Sequence, residues 1–364
     1  MGLKSGVTDR QIFFLLFLTL TAYTIISIPK VIAQRVGPDG WITLMIMALI
    51  FAVFAMAIVR LNSAFPGMML VDYCQRIAGK FLAYVLAAYF IVYFLMVSVY
   101  LSIQLTQVLE AEFYPQTPQW ATLVTSVLVF GFVAHRGVVS VARFFEIIGT
   151  VFVITAVATH IVMFQQGDLR EIVPLFRASR LQNYLLATKD TVIAFLGIEL
   201  LTVFPLSGKN VKRTVVTAFL SLVFIGLFYV FVAETSIMIV GMKSIQNYNF
   251  ALIEAIKQID VPVLERFDVL YLTVGFAGLV AGICGVYLAL VEYAVRIFKK
   301  AQRWTVVACV GVAIVALGIT AQAVKTSMDL FEAVLPIAGL VSAFLIPAIL
   351  LLIAKVRGLV QKPQ

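Results

Sequence analysis

Residues 21–30 read TAYTIISIPK, and they interrupt an apolar run that opens at Ile12. Thr21, Tyr23, Thr24 and Ser27 supply hydroxyls, Pro29 a helix breaker and Lys30 a charge. Proline removes one backbone donor and clashes with the preceding turn, so a helix kinks or stops there. In lipid the freed N–H and C=O groups have no water to turn to. They must line a cavity, meet a ligand, or be served by nearby hydroxyls in a plain proline kink.

The rest of the chain suits a bilayer. Of 364 residues, 62% are hydrophobic and 12% charged, and the mean hydropathy is +1.06. A soluble domain is about one quarter charged, so an integral membrane protein is expected. The net charge of +9 sits in short loops between apolar runs. That is the pattern of topology charge and not of a nucleic-acid surface, so no nucleic-acid partner is expected. Cys74, Cys284 and Cys309 form neither a CxxC pair nor an even framework, which argues against a metal site and a disulfide scaffold. No cofactor is expected. The first apolar run is too long for a cleavable signal peptide. No Walker loop, HExxH or GxSxG occurs, so an enzyme is not expected.

Ten runs approach or exceed the ~20 residues that cross a bilayer. They lie near 12–33, 41–61, 81–109, 119–135, 143–164, 187–206, 213–241, 266–293, 304–323 and 334–355. Continuous runs, not alternating ones, exclude a β-barrel, so the expected class is all-α. With both termini cytoplasmic, 17 of the 27 Lys and Arg residues fall on the inner side, as the positive-inside rule requires. The outer segments near 165–186 and 242–265 have room for short surface helices, and QNYNFALIEAIKQI (246–259) has helical apolar spacing. The chain reads as a single transmembrane domain, 1–364.

Ten spans divide into two sets of five, and an odd number inverts the second set. Repeat one would cover about 10–165 and repeat two about 185–357. The sixth run, AFLGIELLTVFPLSGK (194–209), then corresponds to the first, since both are broken near the middle and continue to a proline and a lysine. Paired breaks of this kind point to a transporter-type binding site. Broken half-helices attract a carboxylate at N–H groups and an ammonium at carbonyls, which suits a zwitterion such as an amino acid. The candidate ligand contacts are Tyr23, Thr24, Ile25, Ile26 and Ser27 in the first break, and Phe195, Leu196, Gly197 and Glu199 in the second. Glu199 is an acid deep in a span, costly there unless partnered. Three roles stay open: binding an ammonium, carrying a proton, or forming an ion pair with Lys30.

Other polar residues have plainer readings. Gly275, Gly278, Gly282 and Gly285 make a smooth face for helix packing, expected against the first span. Tyr287 and Thr273 are weaker pocket candidates. His160 reads as a hydrogen-bonded packing residue ahead of a proton relay, and Glu234 as an acid toward the outer end that reaches water or a partner subunit. Glu146 and Glu292 are spaced to pair with Arg143 and Arg296.

TDRQIFFLLF at the N-terminus, the ISIP break, the segment from Gly40 to Lys80 with its FPG and DYCQRIAGK, FLGIELLTVFPL, and ERFDVLYLT (265–273) together resemble the spore germination permease family. The resemblance covers essentially the whole chain. It implies the B subunit of a nutrient germinant receptor, a branch of the amino acid–polyamine–organocation superfamily. The implied fold is the five-plus-five inverted repeat of the leucine-transporter type, with helices 1 and 6 broken. It also implies a location in the spore inner membrane, partnership with an A subunit and a lipoprotein C subunit, and an amino-acid germinant. In that fold the third span also lines the site, which adds Tyr93 and Val97, with Tyr89 and Tyr100 on the same helix. Bulk at Ala22 and Tyr23, where relatives often have glycine, is expected to narrow the pocket or change its preference. Three functions follow: a receptor subunit, a proton-coupled amino-acid permease, or a membrane subunit with a vestigial pocket.

Overall fold

The computed structural model describes residues 6–173, 176, 181–206, 210–260, 267–324 and 326–359. Helix α1 (Asp9–Thr24) begins with a capping box in which Thr8 and Gln11 satisfy each other's backbone N–H groups. It ends at Thr24, and α2 (Ile28–Arg35) departs at 62°. The cause is local. Pro29 has no N–H, so the carbonyl of Ile25 loses its i+4 donor, and Ser27 N turns back to Thr24 O at 3.0 Å.

The chain continues through α3 (Trp41–Ser63), α4 (Leu70–Ala78), α5 (Lys80–Glu112), α6 (Gln119–His135) and α7 (Val138–Gln166). Then come α8 (Leu181–Thr191), α9 (Val211–Val240), α10 (Ala251–Lys257), α11 (Phe267–Ile297) and α12 (Arg303–Ala323). Last, α13 (Ser327–Leu340) and α14 (Ile346–Val356) flank a π-turn at Val341–Leu345. That turn precedes Pro347, which cannot donate to the carbonyl four residues back, and the ladder widens there.

By length and composition seven of the described helices can cross a bilayer, and the bent pair α1–α2 makes an eighth. α6 is apolar but only 17 residues long. The run near 187–206, expected as an interrupted helix, is reduced further than that. After Thr191 it consists of two 3₁₀ turns, Val192–Phe195 and Ile198–Thr202, on either side of Gly197. Gly197 has φ +116°, a left-handed conformation that ends any helix there. The short helix α4, within the segment that follows the second span, had no expectation attached to it. The expected surface helix in 246–259 is present as α10 and the 3₁₀ turn Ile245–Asn247. Lys209 lies outside the described residues.

The bundle centres on α11, whose membrane window is 72% buried, against 22% for α12 at the periphery. Lipid is as apolar as leucine, so helices here associate by close fit and not by leaving water. The glycines of α11 permit that fit. A Cβ on Gly282 would lie 2.3 Å from the carbonyl oxygen of Leu18 and 2.6 Å from Ala22 Cβ, and one on Gly278 would lie 2.8 Å from Phe152. The face therefore meets α1, as expected, and α7 as well. Gly282→Ala should cost about 1–3 kcal/mol, because a backbone carbonyl in a packed helix cannot step aside. Gly275→Ala, whose Cβ would find only Tyr271 at 3.7 Å, should be tolerated. Melting temperatures of the two variants in detergent test this, and equal losses would refute it.

Candidate functional site

Four elements converge between the two breaks: α1, α5, the 3₁₀ segment around Gly197, and α11. Glu199 is the centre and has no exposed surface. Its Oε2 accepts the Gly197 N–H at 2.9 Å, and its Oε1 accepts the Tyr93 hydroxyl at 2.6 Å. The Glu199 carbonyl accepts from Thr202 at 2.6 Å, and the Thr202 and Tyr293 hydroxyls meet at 2.9 Å. Tyr23, one turn beyond Thr19 on α1, brings its hydroxyl beside Glu199 and Tyr93. That hydroxyl makes no hydrogen bond of ordinary geometry, nor do those of Thr19 and Thr24, and all three are buried.

Gly197 is a steric requirement as well as a conformational one. A Cβ there would meet Thr19 Cγ2 at 2.8 Å and Leu20 Cδ1 at 3.1 Å. Backbone and α1 thus approach closely where the second break begins.

The structure sorts the candidates read from the sequence. Tyr23, Tyr93, Gly197 and Glu199 come together as one cluster, with Val97 fully buried one turn along α5 from Tyr93. Phe195 packs on Phe51 and Tyr229, with ring centroids 5.6 and 5.5 Å away. Leu196 fills the space over Gly339 of α13. Ile25 and Ile26 face another way, into a small apolar cleft with Phe152, Tyr271, Phe276 and Leu279. Ser27 donates to Thr24 O at 3.3 Å. Lys30 does not pair with Glu199, because α2 carries it away from the break to Asn249 Oδ1, at 2.8 Å. Tyr89 ties α5 to α13 through Ala338 O, and Tyr100 accepts from Gln104. Tyr287 donates to Val307 O, and Thr273 to Val269 O.

The secondary readings divide in the same way. Glu292 pairs with Arg296 at 2.9 Å, and with Arg303 besides. Glu146 pairs with Arg10 of α1 and not with Arg143. His160 bonds Ala156 O through Nδ1 and is buried. Glu234 is also buried instead of reaching water.

Both ends of the site are stitched. At the end where α1 begins, the chain from Leu201 to Leu206 is held by three groups. Asn62 Nδ2 donates to Leu201 O, Gly67 N to Leu206 O at 3.2 Å, and Val7 N to Pro205 O at 3.1 Å. Asn62 is fixed in turn by the Tyr73 hydroxyl of α4 at 2.8 Å. At the opposite end Leu252 N of α10 donates to Ile26 O at 3.0 Å, which gives a carbonyl of the first break its partner. Alongside it the Gln34 side chain donates to Gln246 O, and the Gln246 side chain donates to Ala33 O. Lys257 then fastens α10 to Glu112 at 2.9 Å and pairs with Glu254 of the same helix at 3.2 Å. Partial burial works against its charge, but those carboxylates outweigh it and hold the ammonium above the usual lysine range. None of these stitches was anticipated. Asn62 lies just past the second apolar run, near Arg60, where an asparagine gives no signal; the backbone bonds leave no mark in sequence either.

Comparison with known proteins places this geometry in context. A family model described as spore germination protein matches residues 6–326. Spore germination protein YndE of Bacillus subtilis (strain 168) is 22% identical over 305 residues, 81% of this chain and 82% of that protein. Spore germination protein B2 of the same organism is 23% identical over 314 residues, 83% of each. Among solved structures, MhsT in complex with L-phenylalanine superposes with TM-score 0.66 at 13% identity, covering 97% of this chain and 99% of that one. Mhp1, a nucleobase-cation-symport-1 family transporter in a closed conformation with bromovinylhydantoin bound, gives 0.61 at 11% identity, covering 98% and 94%. The likeness to both shows a transporter fold of the leucine-transporter type.

Proposed function

The chain belongs to the spore germination permease family, and on that premise we propose that it is the membrane subunit of a germinant receptor. It binds a small nutrient, an amino acid, at the paired breaks and passes a conformational change to an A subunit and a lipoprotein C subunit. The observation that carries this is Glu199, wholly buried and held by Tyr93 and the N–H of Gly197 where the two broken segments meet. An acid at that depth is a functional group by default. The ligand contacts are drawn from Tyr23, Thr24, Ser27, Tyr93, Val97, Gly197 and Glu199, with Tyr23, Tyr93, Gly197 and Glu199 closest to the centre; Ile25, Ile26, Phe195 and Leu196 pack away from it. The location is the spore inner membrane with both termini cytoplasmic. The repeats are about 10–165 and 185–357 of one transmembrane domain.

A second reading, a proton-coupled amino-acid permease, draws on the likeness to transporters. Proteoliposomes holding the purified chain separate the two. Labelled amino acids are offered with and without a proton gradient, and thermal shift reports binding. Binding without accumulation is expected. Gradient-driven accumulation would replace the receptor reading with the permease.

A further inference from the structure

We propose that the site recognises its ligand through an ammonium group and needs no carboxylate. This rests on the reading that the nutrient binds at the paired breaks, and it goes further by naming the chemical group that is held. A break in a helix offers N–H groups to an anion. Here that offer is already taken, because Oε2 of Glu199 accepts the Gly197 N–H and Oε1 accepts the Tyr93 hydroxyl. The protein supplies its own carboxylate in the place a ligand carboxylate would need. A second carboxylate there would find the donors engaged and a like charge beside it.

What remains unengaged is rich in acceptors. A carboxylate accepts about four hydrogen bonds, and two of Glu199's are used. The buried hydroxyls of Thr19 and Thr24 have no partner among the described residues, and that of Tyr23 lies beside Glu199 and Tyr93 without a hydrogen bond of ordinary geometry. Pro29 removes the donor for the Ile25 carbonyl, and no backbone N–H of the described residues reaches the carbonyls of Ala22 and Tyr23. No Lys or Arg among the described residues pairs with Glu199, and Lys30 is engaged by Asn249. If Glu199 is ionised, the described residues give it no countercharge, and a cation would supply one. A primary ammonium brings one positive charge and three donors. The aromatic wall of Tyr23, Tyr93 and Tyr89, the last stacked on Tyr93 at 6.5 Å, favours an organic ammonium over a hard metal ion.

The test is thermal shift of the purified full chain in detergent. The probes are 2-aminobutyrate, leucine and phenylalanine, each with the amine lacking its carboxylate and the acid lacking its amine. All are run in potassium buffer, with and without sodium. The amines should stabilise the protein as well as their parent amino acids do, and the acids should have no effect. Glu199→Gln should weaken the amines ~10-fold or more. Tyr23→Phe should weaken them ~3-fold and keeps the test open if the glutamine variant does not fold. Stabilisation by the amino acids alone, with the amines inert, overturns the ammonium inference and leaves the amino-acid site standing. A shift produced by sodium alone overturns it in favour of an inorganic cation. Amine binding that survives both substitutions, or no binding by any probe, overturns the site itself.

Discussion

Gly197→Val is expected to cost about 2–6 kcal/mol of stability and to abolish the ligand response. Two independent penalties add. At φ +116° a β-branched residue is strained, at about 1–3 kcal/mol. The new side chain would also enter space held by Thr19 and Leu20, 2.8 and 3.1 Å from its Cβ, an overpacking of about 1–3 kcal/mol. Thr19 lies on a buried face of α1 and cannot swing into solvent. The turn must therefore shift, and the Gly197 N–H leaves Glu199 as it does. Melting in detergent gives the cost. Gly79→Val supplies the comparison, since Gly79 has φ +92° with nothing near its Cβ position and so reports backbone strain alone. If Gly197→Val melts no lower than Gly79→Val, the close approach of α1 to the second break is not rigid.

Asn62→Leu is the second large effect, expected at about 2–6 kcal/mol. The side chain serves two buried partners at once: its amide donates to Leu201 O and its carbonyl accepts from Tyr73. Leucine matches the volume and offers neither function, so two buried polar groups lose their partners at about 1–3 kcal/mol each. Tyr73→Phe should cost less, because it removes one bond and leaves the asparagine on Leu201. Of the three groups that hold the 201–206 segment, Asn62 is the one held by a further helix. Cysteine accessibility at Thr202 should therefore rise more in Asn62→Leu than in Tyr73→Phe. Equal accessibility in both would mean that the backbone bonds of Gly67 and Val7 hold the segment unaided.

The parts of this protein legible in its sequence are those fixed by solvent and by backbone chemistry. Apolar runs announce helices, because lipid permits little else. Pro29 announces the first break and Gly197 the second, since each alters what its own backbone can do. Glu199 stands out because an acid at that depth needs a reason. What escaped is what depends on direction. The residues around each break form one string in sequence, yet Tyr23 turns toward Glu199 while Ile25 and Ile26 face a separate cleft. A bend of 62° goes with that division, and beyond it α2 packs against α9 and α10. Lys30 follows the bend out to Asn249, so spacing along the chain gave no guide to its partner.

The hydrogen bond from Leu252 to Ile26 couples the short, mostly buried helix α10, whose Lys257 is exposed, to the first break. Anything that draws α10 outward strips the Ile26 carbonyl of its backbone donor among the described residues and must also part Lys257 from Glu112. A soluble domain docked on that surface would hold a handle on the buried site without entering the bilayer. The traffic runs both ways: a ligand that reshapes the break would tug the same handle from below. A spin label on α10 therefore serves as a remote gauge of occupancy, read from the aqueous side.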